Sequence, residues 1–313
     1  MKNNYPEYYK NFKCIASECP DTCCAGWEIA VDDEAIEKYN ALNSEIGSEI
    51  RSKMITDADG DIIFRNENGR CPFLTNENLC KIYAQAGENY LCRTCDMFPR
   101  FINDFGSQRE LGLGLACPEA ARIIIDSGGN SELLCEVTSE PPTPNDIDAD
   151  FYFEMLRMRK DIFSLINDKS RSIKEILADL LEKYTEKSGK SLSRNPFDLL
   201  HSLEVLTNDW QEILNRSSEL NASEYGDKFR NIAGYYIYRY FLLSVFDGDY
   251  ITKLKFCVFS CAVINRAAAV LGLHRAAQLY SKEIEYSAEN LSDIFAALKE
   301  TDGEDIISFH EIF

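Results

Sequence analysis

The chain has 313 residues, 45% of them hydrophobic, which is enough to build a buried core without cross-links. Its 52 acidic residues outweigh 33 basic ones to a net charge of −19, a field that repels phosphate backbones and argues against a nucleic-acid partner. The first residues, MKNNYPEYYKNFK, lack the apolar run of a secretion signal, so a cytoplasmic protein is expected, in which the twelve cysteines are metal ligands or redox groups rather than disulfides.

Taken along the chain, a first thiol group comes early, Cys14-x4-Cys19-x3-Cys23-Cys24. Ile36, Tyr39, Leu42, Ile46, Ile50 and Met54 then recur every three or four residues, which predicts one helix capped by Asp32 or Asp33. The segments DIIFRN (61–66), CPFLTNENLCKIY (71–83), RFINDF (100–105) and QRELGLGLA (108–116) predict short strands joined by Asp-Gly, Asn and Gly-Ser turns. A second thiol group is threaded through them: Cys71-x8-Cys80, Cys92-x2-Cys95 and Cys117. Pro118 suits the first turn of a helix over PEAARIIID.

Ten of the twelve cysteines precede residue 136, and composition changes at SEPPTPNDIDAD, residues 139–150. Its prolines stop helices and strands, and its acids suit a helix start at Asp148 or Asp150, so it reads as a linker. The expected organisation is mainly α: a small irregular α+β cysteine-rich metal-binding N-terminal module (1–138), a linker (139–150), and an all-α C-terminal helical domain (151–313). Stripes such as Ile173, Ile176, Leu177, Leu180, Leu181 and Tyr184, with breaks at Gly189, Asn195-Pro196 and Asp247-Gly248-Asp249, predict six or seven helices there. The most apolar stretches, 232–246 and 256–273, are interrupted by Arg239 and by Asn265 and Arg266, so they read as core helices rather than membrane spans.

Cysteines two to four residues apart can close on one ion, with a distant group completing the tetrahedron. Three histidines in all, none before residue 201, point to all-sulfur coordination, and zinc and iron–sulfur both accept four thiolates. Cys23 and Cys24 are adjacent, so their side chains diverge, which implies two metals or one cluster plus a structural thiol. Cys257 and Cys261 share a helix face amid Phe256, Val258, Phe259 and Val263, which predicts core packing. The CxxxCxxC triad of radical enzymes is not matched, since Cys19-x3-Cys23-Cys24 has the wrong second spacing.

The segments FKCIASECPDTCCAGWEIAVD, RCPFLTNENLCKIY, CRTCDMFPRF and ELGLGLACPEAARIII, with GYYIYRYFL (234–242) and LYSKEIEYSAENL (279–291), resemble the flagellin lysine-N-methylase family (FliB-like). The N-terminal part is similar to the broader CxxCxxCC group of zinc- or iron-chelating proteins. The resemblance implies a protein-lysine N-methyltransferase that uses S-adenosylmethionine, acts on flagellin and carries an iron–sulfur (4Fe-4S) or zinc centre. It also implies Cys14, Cys19, Cys23, Cys24, Cys71, Cys80, Cys95 and Cys117 as ligands, and leaves Cys92 as an incidental thiol.

Methylation needs a neutral lysine amine, reached by desolvation or by an acceptor within hydrogen-bond reach, and a sulfonium favours aromatic or carboxylate neighbours. In the two C-terminal segments of the resemblance, Tyr236, Tyr240 and Glu283 are therefore the catalytic candidates, and Tyr235, Arg239, Tyr280 and Glu285 the donor-binding ones. The same tyrosines also suit an aromatic core with hydroxyls at its edge. An alternative reading is a metal-binding, redox or docking module that transfers no methyl group.

Overall fold

The computed structural model describes residues 1–25, 29–127, 133–184, 196–217, 220, 226–302 and 306. The chain opens with strand β1 (Lys2–Pro6), whose partners come from far along the sequence. Contacts divide the molecule into residues 13–101 and a larger unit made of residues 1–12 and 102–313.

In the smaller unit, β2 (Ile29–Ala30), β3 (Met54–Thr56) and β4 (Ile62–Phe64) form an antiparallel sheet in the order β2-β4-β3. The single helix expected over 36–54 is instead a pair, α1 (Asp33–Ala41) and α2 (Glu45–Lys53), and Met54 begins β3. Asp32 caps α1 as expected, its carboxylate accepting from the Ala35 amide at 3.1 Å. The chain breaks because Leu42 turns extended and Ser44 starts a second helix, its hydroxyl accepting from the Gly47 amide at 3.2 Å. Position 47 must be glycine in this turn, since a Cβ there would lie 2.1 Å from the Leu42 carbonyl oxygen. The apolar stripe still reaches one core: Tyr39, Ile46 and Ile50 are buried with Ile29, Val31, Phe64, Phe73, Ile82 and Cys92, and Ile36, Leu42 and Met54 pack against them.

Residues 71–83, expected as a strand, form a loop running into α3 (Lys81–Ala86). Asn78 sits at φ +57° in a turn closed by the Thr75 amide donating to the Leu79 carbonyl at 2.9 Å, and only Leu74 and Cys80 pair across it. Helix α4 (Arg93–Met97) follows.

The larger unit takes up strand β5 (Arg100–Phe105) and adds β6 (Gln108–Leu113) and β7 (Leu133–Val137), in the order β5-β6-β1-β7. β1 runs parallel to β6 and antiparallel to β7, so this sheet belongs with the helices that follow. Composition therefore changes at 139–150, whereas compaction divides the chain near residues 13 and 101. The proline-rich stretch lies along its own unit: the Met1 ammonium donates to the Glu140 carbonyl at 2.7 Å, and the Thr143 hydroxyl to Asp104 at 2.8 Å.

The helices of this unit are α5 (Pro118–Asp126), α6 (Ala149–Ile166), α7 (Ile173–Tyr184), α8 (Pro196–His201), α9 (Asn208–Asn215), α10 (Lys228–Tyr240), α11 (Ser244–Asp247), α12 (Tyr250–Leu271), α13 (Leu273–Ile284) and α14 (Ala288–Lys299). Among the described residues, seven of those after Asp148 have eight residues or more, in line with the six or seven expected. Pro118 opens α5, and Asp148 caps α6 by accepting from the Phe151 amide at 3.0 Å. The expected breaks at Gly189 and Asn195 lie outside the described residues, and Pro196 is the first residue of α8. Between α11 and α12, Gly248 takes φ +74° and Asp249 caps the next helix.

α12 starts earlier than the apolar stretch suggested and, at 22 residues, is long and apolar enough to cross a membrane; yet most of it is buried inside the protein, which makes it a core helix. Cys257 and Cys261 pack within it as expected, both buried. The fold is mainly α, with a cysteine-rich N-terminal region, small sheets and a helical C-terminal region.

Two polar anchors hold the sheet to the helices. Arg159 of α6 pairs bidentately with Glu110 of β6 at 2.8 and 2.5 Å, both side chains buried. The Tyr238 hydroxyl of α10 lies 3.1 Å from the Asn4 carbonyl and 3.0 Å from the Leu111 carbonyl, a bifurcated donor between β1 and β6. Tyr238→Phe leaves both carbonyls short of a donor and is expected to lower stability by about 1–3 kcal/mol, read by urea unfolding; a change within error would show that the hydroxyl holds nothing.

Candidate metal centre and a buried tyrosine cage

Eight of the twelve cysteines lie in residues 13–101. Cys14 is exposed and accepts from the Ala16 amide at 3.4 Å, and the Cys19 thiol donates to the Asp21 carbonyl at 3.3 Å. The two thiol groups are joined by backbone, since the Cys71 amide donates to the Cys24 carbonyl at 2.8 Å. Cys80 stands at the start of α3, Cys92 at the start of α4, and Cys95 one turn into α4. α4 is fixed by the Asp32 carboxylate, which takes the Arg93 amide at 2.6 Å while capping α1, and by the Thr94 hydroxyl on the Ala30 carbonyl at 2.9 Å. Cys92 is buried in the hydrophobic core, and Cys71, Cys80 and Cys95 pack against that core.

These sulfurs share one electrostatic environment. Burial pushes the Cys71 thiol up to about 12, and neighbouring Cys24, Cys80 and Cys92 add to the rise. Burial likewise raises Cys80. Cys95 is raised first by the hydrogen bond it gives Cys92, then by burial, and the same bond lowers Cys92. A hydrogen bond from Cys23 brings Cys24 down to about 7 against burial, helped by Thr22 and Arg70. Cys24 and Cys92 are thus the two thiols whose charged form a partner thiol favours, and a cation bound among them would favour that form further.

Among the described residues no three histidine, cysteine, aspartate or glutamate side chains already converge as a ligand set; the sulfurs approach in pairs, Cys23 with Cys24 and Cys92 with Cys95. The donors fit a thiophilic metal, since no histidine occurs before residue 201. Such a metal would cross-link the loops that carry Cys24, Cys71, Cys80, Cys92 and Cys95.

The lowered Cys24 value has a defined pH sign. It favours the folded metal-free unit at pH above the ordinary thiol value of 9.0, and this contribution fades as pH falls through about 7. In metal-free protein, alkylation of Cys24 by iodoacetamide is expected to rise through about pH 7 while Cys71 stays unreactive. Peptide mapping reads both sites, and a Cys24 midpoint near 9 would contradict the Cys23 hydrogen bond.

Of the expected ligands, Cys24 acts electrostatically on Cys71, Cys80 and Cys95 alike, with Cys23 hydrogen-bonded to Cys24 and with Cys19 in reach of both Cys14 and Cys24. Cys117 belongs to the larger unit, at the start of α5. Cys92, expected as incidental, is buried in the core against which Cys71, Cys80 and Cys95 pack.

In the larger unit, α10 and the end of α13 build a second constellation. The Arg239 guanidinium lies over three rings, Tyr235 at 5.9 Å, Tyr240 at 5.3 Å and Tyr286 at 5.6 Å, and donates to the Tyr235 hydroxyl at 2.6 Å. Glu285, its side chain fully buried, accepts from Tyr235 and Tyr240 at 2.8 Å each and stands 3.2 Å from Arg239, all on Oε1; Tyr236 reaches Oε2 at 3.5 Å. Burial pushes the Tyr235, Tyr236 and Tyr240 phenols well above their ordinary value, so at neutral pH they donate and do not act as bases. The backbone around the cage is fixed by Asn103 on the Arg239 carbonyl at 2.8 Å and by Gln278 on the Ala116 carbonyl at 2.8 Å.

The remaining candidates face elsewhere. Glu283 accepts from the Leu206 amide at 2.7 Å and from the Thr207 hydroxyl, which ties α13 to the start of α9. Tyr280 pairs with Ser260 at 3.0 Å and sets its ring edge-on to Trp210 and Tyr236 in the core. Tyr286, which completes the cage, belongs to the segment 279–291, where the sequence offers it with Tyr280, Glu283 and Glu285 as an aromatic and acidic site group.

Residues 119–309, which contain this cage, match the FliB lysine N-methylase C-terminal domain. The chain belongs to the FliB lysine N-methylase family. Residues 13–111 of this FliB-family chain match the "Putative zinc- or iron-chelating domain", CxxCxxCC, which takes in the thiol cluster. The chain is 28% identical over 193 residues to a lysine-N-methylase of Salmonella choleraesuis, covering 59% of this chain and 48% of that protein, and equally to one of Salmonella typhimurium. It is 31% identical over 127 residues to the flagellar biosynthetic protein FliU of Salmonella muenchen, covering 39% of this chain and 75% of that one. The FliB-family chain thus spans about half the length of the lysine-N-methylases it matches. No solved structure matches it.

Proposed function

We propose that the protein is a protein-lysine N-methyltransferase of the cytoplasm that takes its methyl group from S-adenosylmethionine and acts on flagellin, with a zinc or iron–sulfur centre held by thiolates in residues 13–101. Family membership and the names of the relatives support the reaction class, and FliU's flagellar name supports the substrate. The observation that carries the reading is the cage of Tyr235, Tyr240 and Tyr286 around Arg239 and Glu285, inside the matched region.

The donor, when bound, supplies a methyl group on a positively charged sulfur. The cage offers what cations of that kind need, π faces and a buried carboxylate. Tyr235 and Tyr240 orient Glu285 by saturating Oε1, and Oε2, with only the longer Tyr236 contact among the described residues, retains capacity to accept a proton from a lysine ammonium. The base role expected of Tyr236, Tyr240 or Glu283 thereby passes to Glu285. Arg239 is the cation that holds the cage together; its side chain is 14% exposed whereas that of Glu285 is fully covered, so an incoming cation meets Arg239 first.

A second reading, a metal-binding or docking module without methyl transfer, draws on the same cage, whose polar groups already satisfy one another. Incubation of purified protein with methyl-labelled S-adenosylmethionine and flagellin of the same organism separates the two. Methyl increments on flagellin lysines are expected; no increment together with no donor binding would leave the docking module. A brown anaerobic preparation would identify iron–sulfur, and a colourless one with stoichiometric zinc would remove the cluster.

A further inference from the structure

We infer that Gln278 is a positioning residue of the cage: it sets the Tyr235 hydroxyl, and through it Glu285, by fixing the backbone of residues 115–116. The inference deepens the reading of the cage as a methyl-transfer site and rests on it.

Gln278 lies in α13, and Glu285 continues the last turn of that helix, its amide donating to the Ser281 carbonyl at 2.8 Å. Seven residues, two helical turns, bring the two side chains to the same face. Gln278 is 1% exposed, and both ends of its amide are engaged. Nε2 donates to the Ala116 carbonyl at 2.8 Å, and Oε1 accepts from the Arg275 guanidinium. A carbonyl only accepts and a guanidinium only donates, so these partners allow the amide one orientation. Arg275 is in turn held by Asp209 of α9 at 2.6 Å.

The segment that Gln278 grips, between β6 and α5, reaches the cage through its backbone. The Leu115 amide donates to the Tyr235 hydroxyl at 3.4 Å, and Arg239 donates to the same oxygen at 2.6 Å. A phenol oxygen that accepts twice has its one proton left to give, and it gives it to Glu285 at 2.8 Å. The contacts form a closed circuit, from Gln278 to residues 115–116, to Tyr235 on α10, to Glu285 and back along α13. Leu115 and Ala116 are 0% and 4% exposed, so solvent does not take over a bond lost there. Without the Gln278 amide the Ala116 carbonyl loses that donor, the segment is released, and Tyr235 holds Oε1 less firmly.

The test follows methyl transfer from labelled S-adenosylmethionine to flagellin of the same organism by full-length wild type, Gln278→Met and Arg275→Met. Gln278→Met keeps the volume and removes both polar ends; Arg275→Met is the milder change, at a side chain 35% exposed. Gln278→Met is expected to lower kcat on the order of 10–100-fold with KM little changed, the scale on which small misplacements of a reacting group act. It is also expected to move the acid limb of the kcat/KM profile to higher pH, because a hydrogen bond to the charged acceptor weakens while Arg239, Tyr236, Tyr240 and Tyr286 stay in place. Arg275→Met should shift both in the same direction by less. A purely structural glutamine lowers the urea midpoint and leaves the limb where it is. A cycle of urea midpoints through wild type, Gln278→Met, Tyr235→Phe and the double variant needs no activity: a linked pair loses less together than the sum of its single losses, and additive losses contradict the link. Unmoved kcat and acid limb in Gln278→Met, or in Arg275→Met should the first not fold, with wild-type methyl transfer intact, would overturn the role of Gln278 alone. A wild type that transfers no methyl group would overturn the reading of the cage and this role with it.

Discussion

Glu285→Gln is expected to destabilise the larger unit by about 3–5 kcal/mol, the usual consequence of removing one partner from a buried ion pair. The side chain is fully buried and one oxygen serves Tyr235, Tyr240 and Arg239 together. The amide keeps the shape and can accept one bond, but it leaves the guanidinium without its counter-charge amid three rings, and its NH₂ cannot accept from Tyr236. Burial already works against the Arg239 charge, and Tyr235, Tyr240 and Glu285 uphold it. Urea unfolding followed by circular dichroism measures the loss, with metal content as the control that the thiol unit is intact. A loss below about 1 kcal/mol would mean that the pair is screened like an exposed one.

Metal removal is expected to unfold residues 13–101 and spare the helical unit. The smaller unit has strands of two or three residues and helices of at most nine, around a core of about ten side chains. Such a unit has little to hold it once loops 71–80 and 92–95 are released, whereas structural zinc in small domains contributes on the order of 10 kcal/mol. Hydrogen exchange after chelation should show amides of α2 and α4 losing protection and those of α12 keeping it. Unchanged protection in α2 and α4 would show that the apolar core suffices without metal.

What could be read from the sequence was largely local. Pro118 at the head of α5, Asp148 before α6 and Gly248 before α12 are signals written in single residues, and the structure uses each one. The apolar stripe over 36–54 located the right core but hid a break, because Ile36, Tyr39, Ile46 and Ile50 keep their helical spacing across two helices. The clue was Ser44 three residues before Gly47, a cap followed by the one residue that fits beside the Leu42 carbonyl. The 71–83 segment looked like a strand from its apolar residues, while Asn78 in the left-handed region decided for a loop.

The candidate sites were legible in proportion to how local their chemistry is. Cysteine spacing marked the metal region, whereas the burial of Cys92 in the core is a tertiary fact that spacing does not carry. The cage was half visible: tyrosines on α10 were apparent, but no periodicity says that Arg239 lies across three rings or that Glu285, not Glu283, faces it. Glu283 and Glu285 are two residues apart at the end of α13, which turns them to different sides, one toward α9 and the other toward α10.

The most direct test of the proposed reaction is methyl transfer to flagellin, resolved lysine by lysine by peptide mass spectrometry, using wild type and Glu285→Gln at equal metal content and at a temperature where both are folded. Wild type is expected to add methyl groups to lysines, and the variant to do so at least about 100-fold more slowly, as the loss of a positioned proton acceptor requires. Absence of methylation by wild type, or equal rates for the two proteins, would contradict the role assigned to the cage.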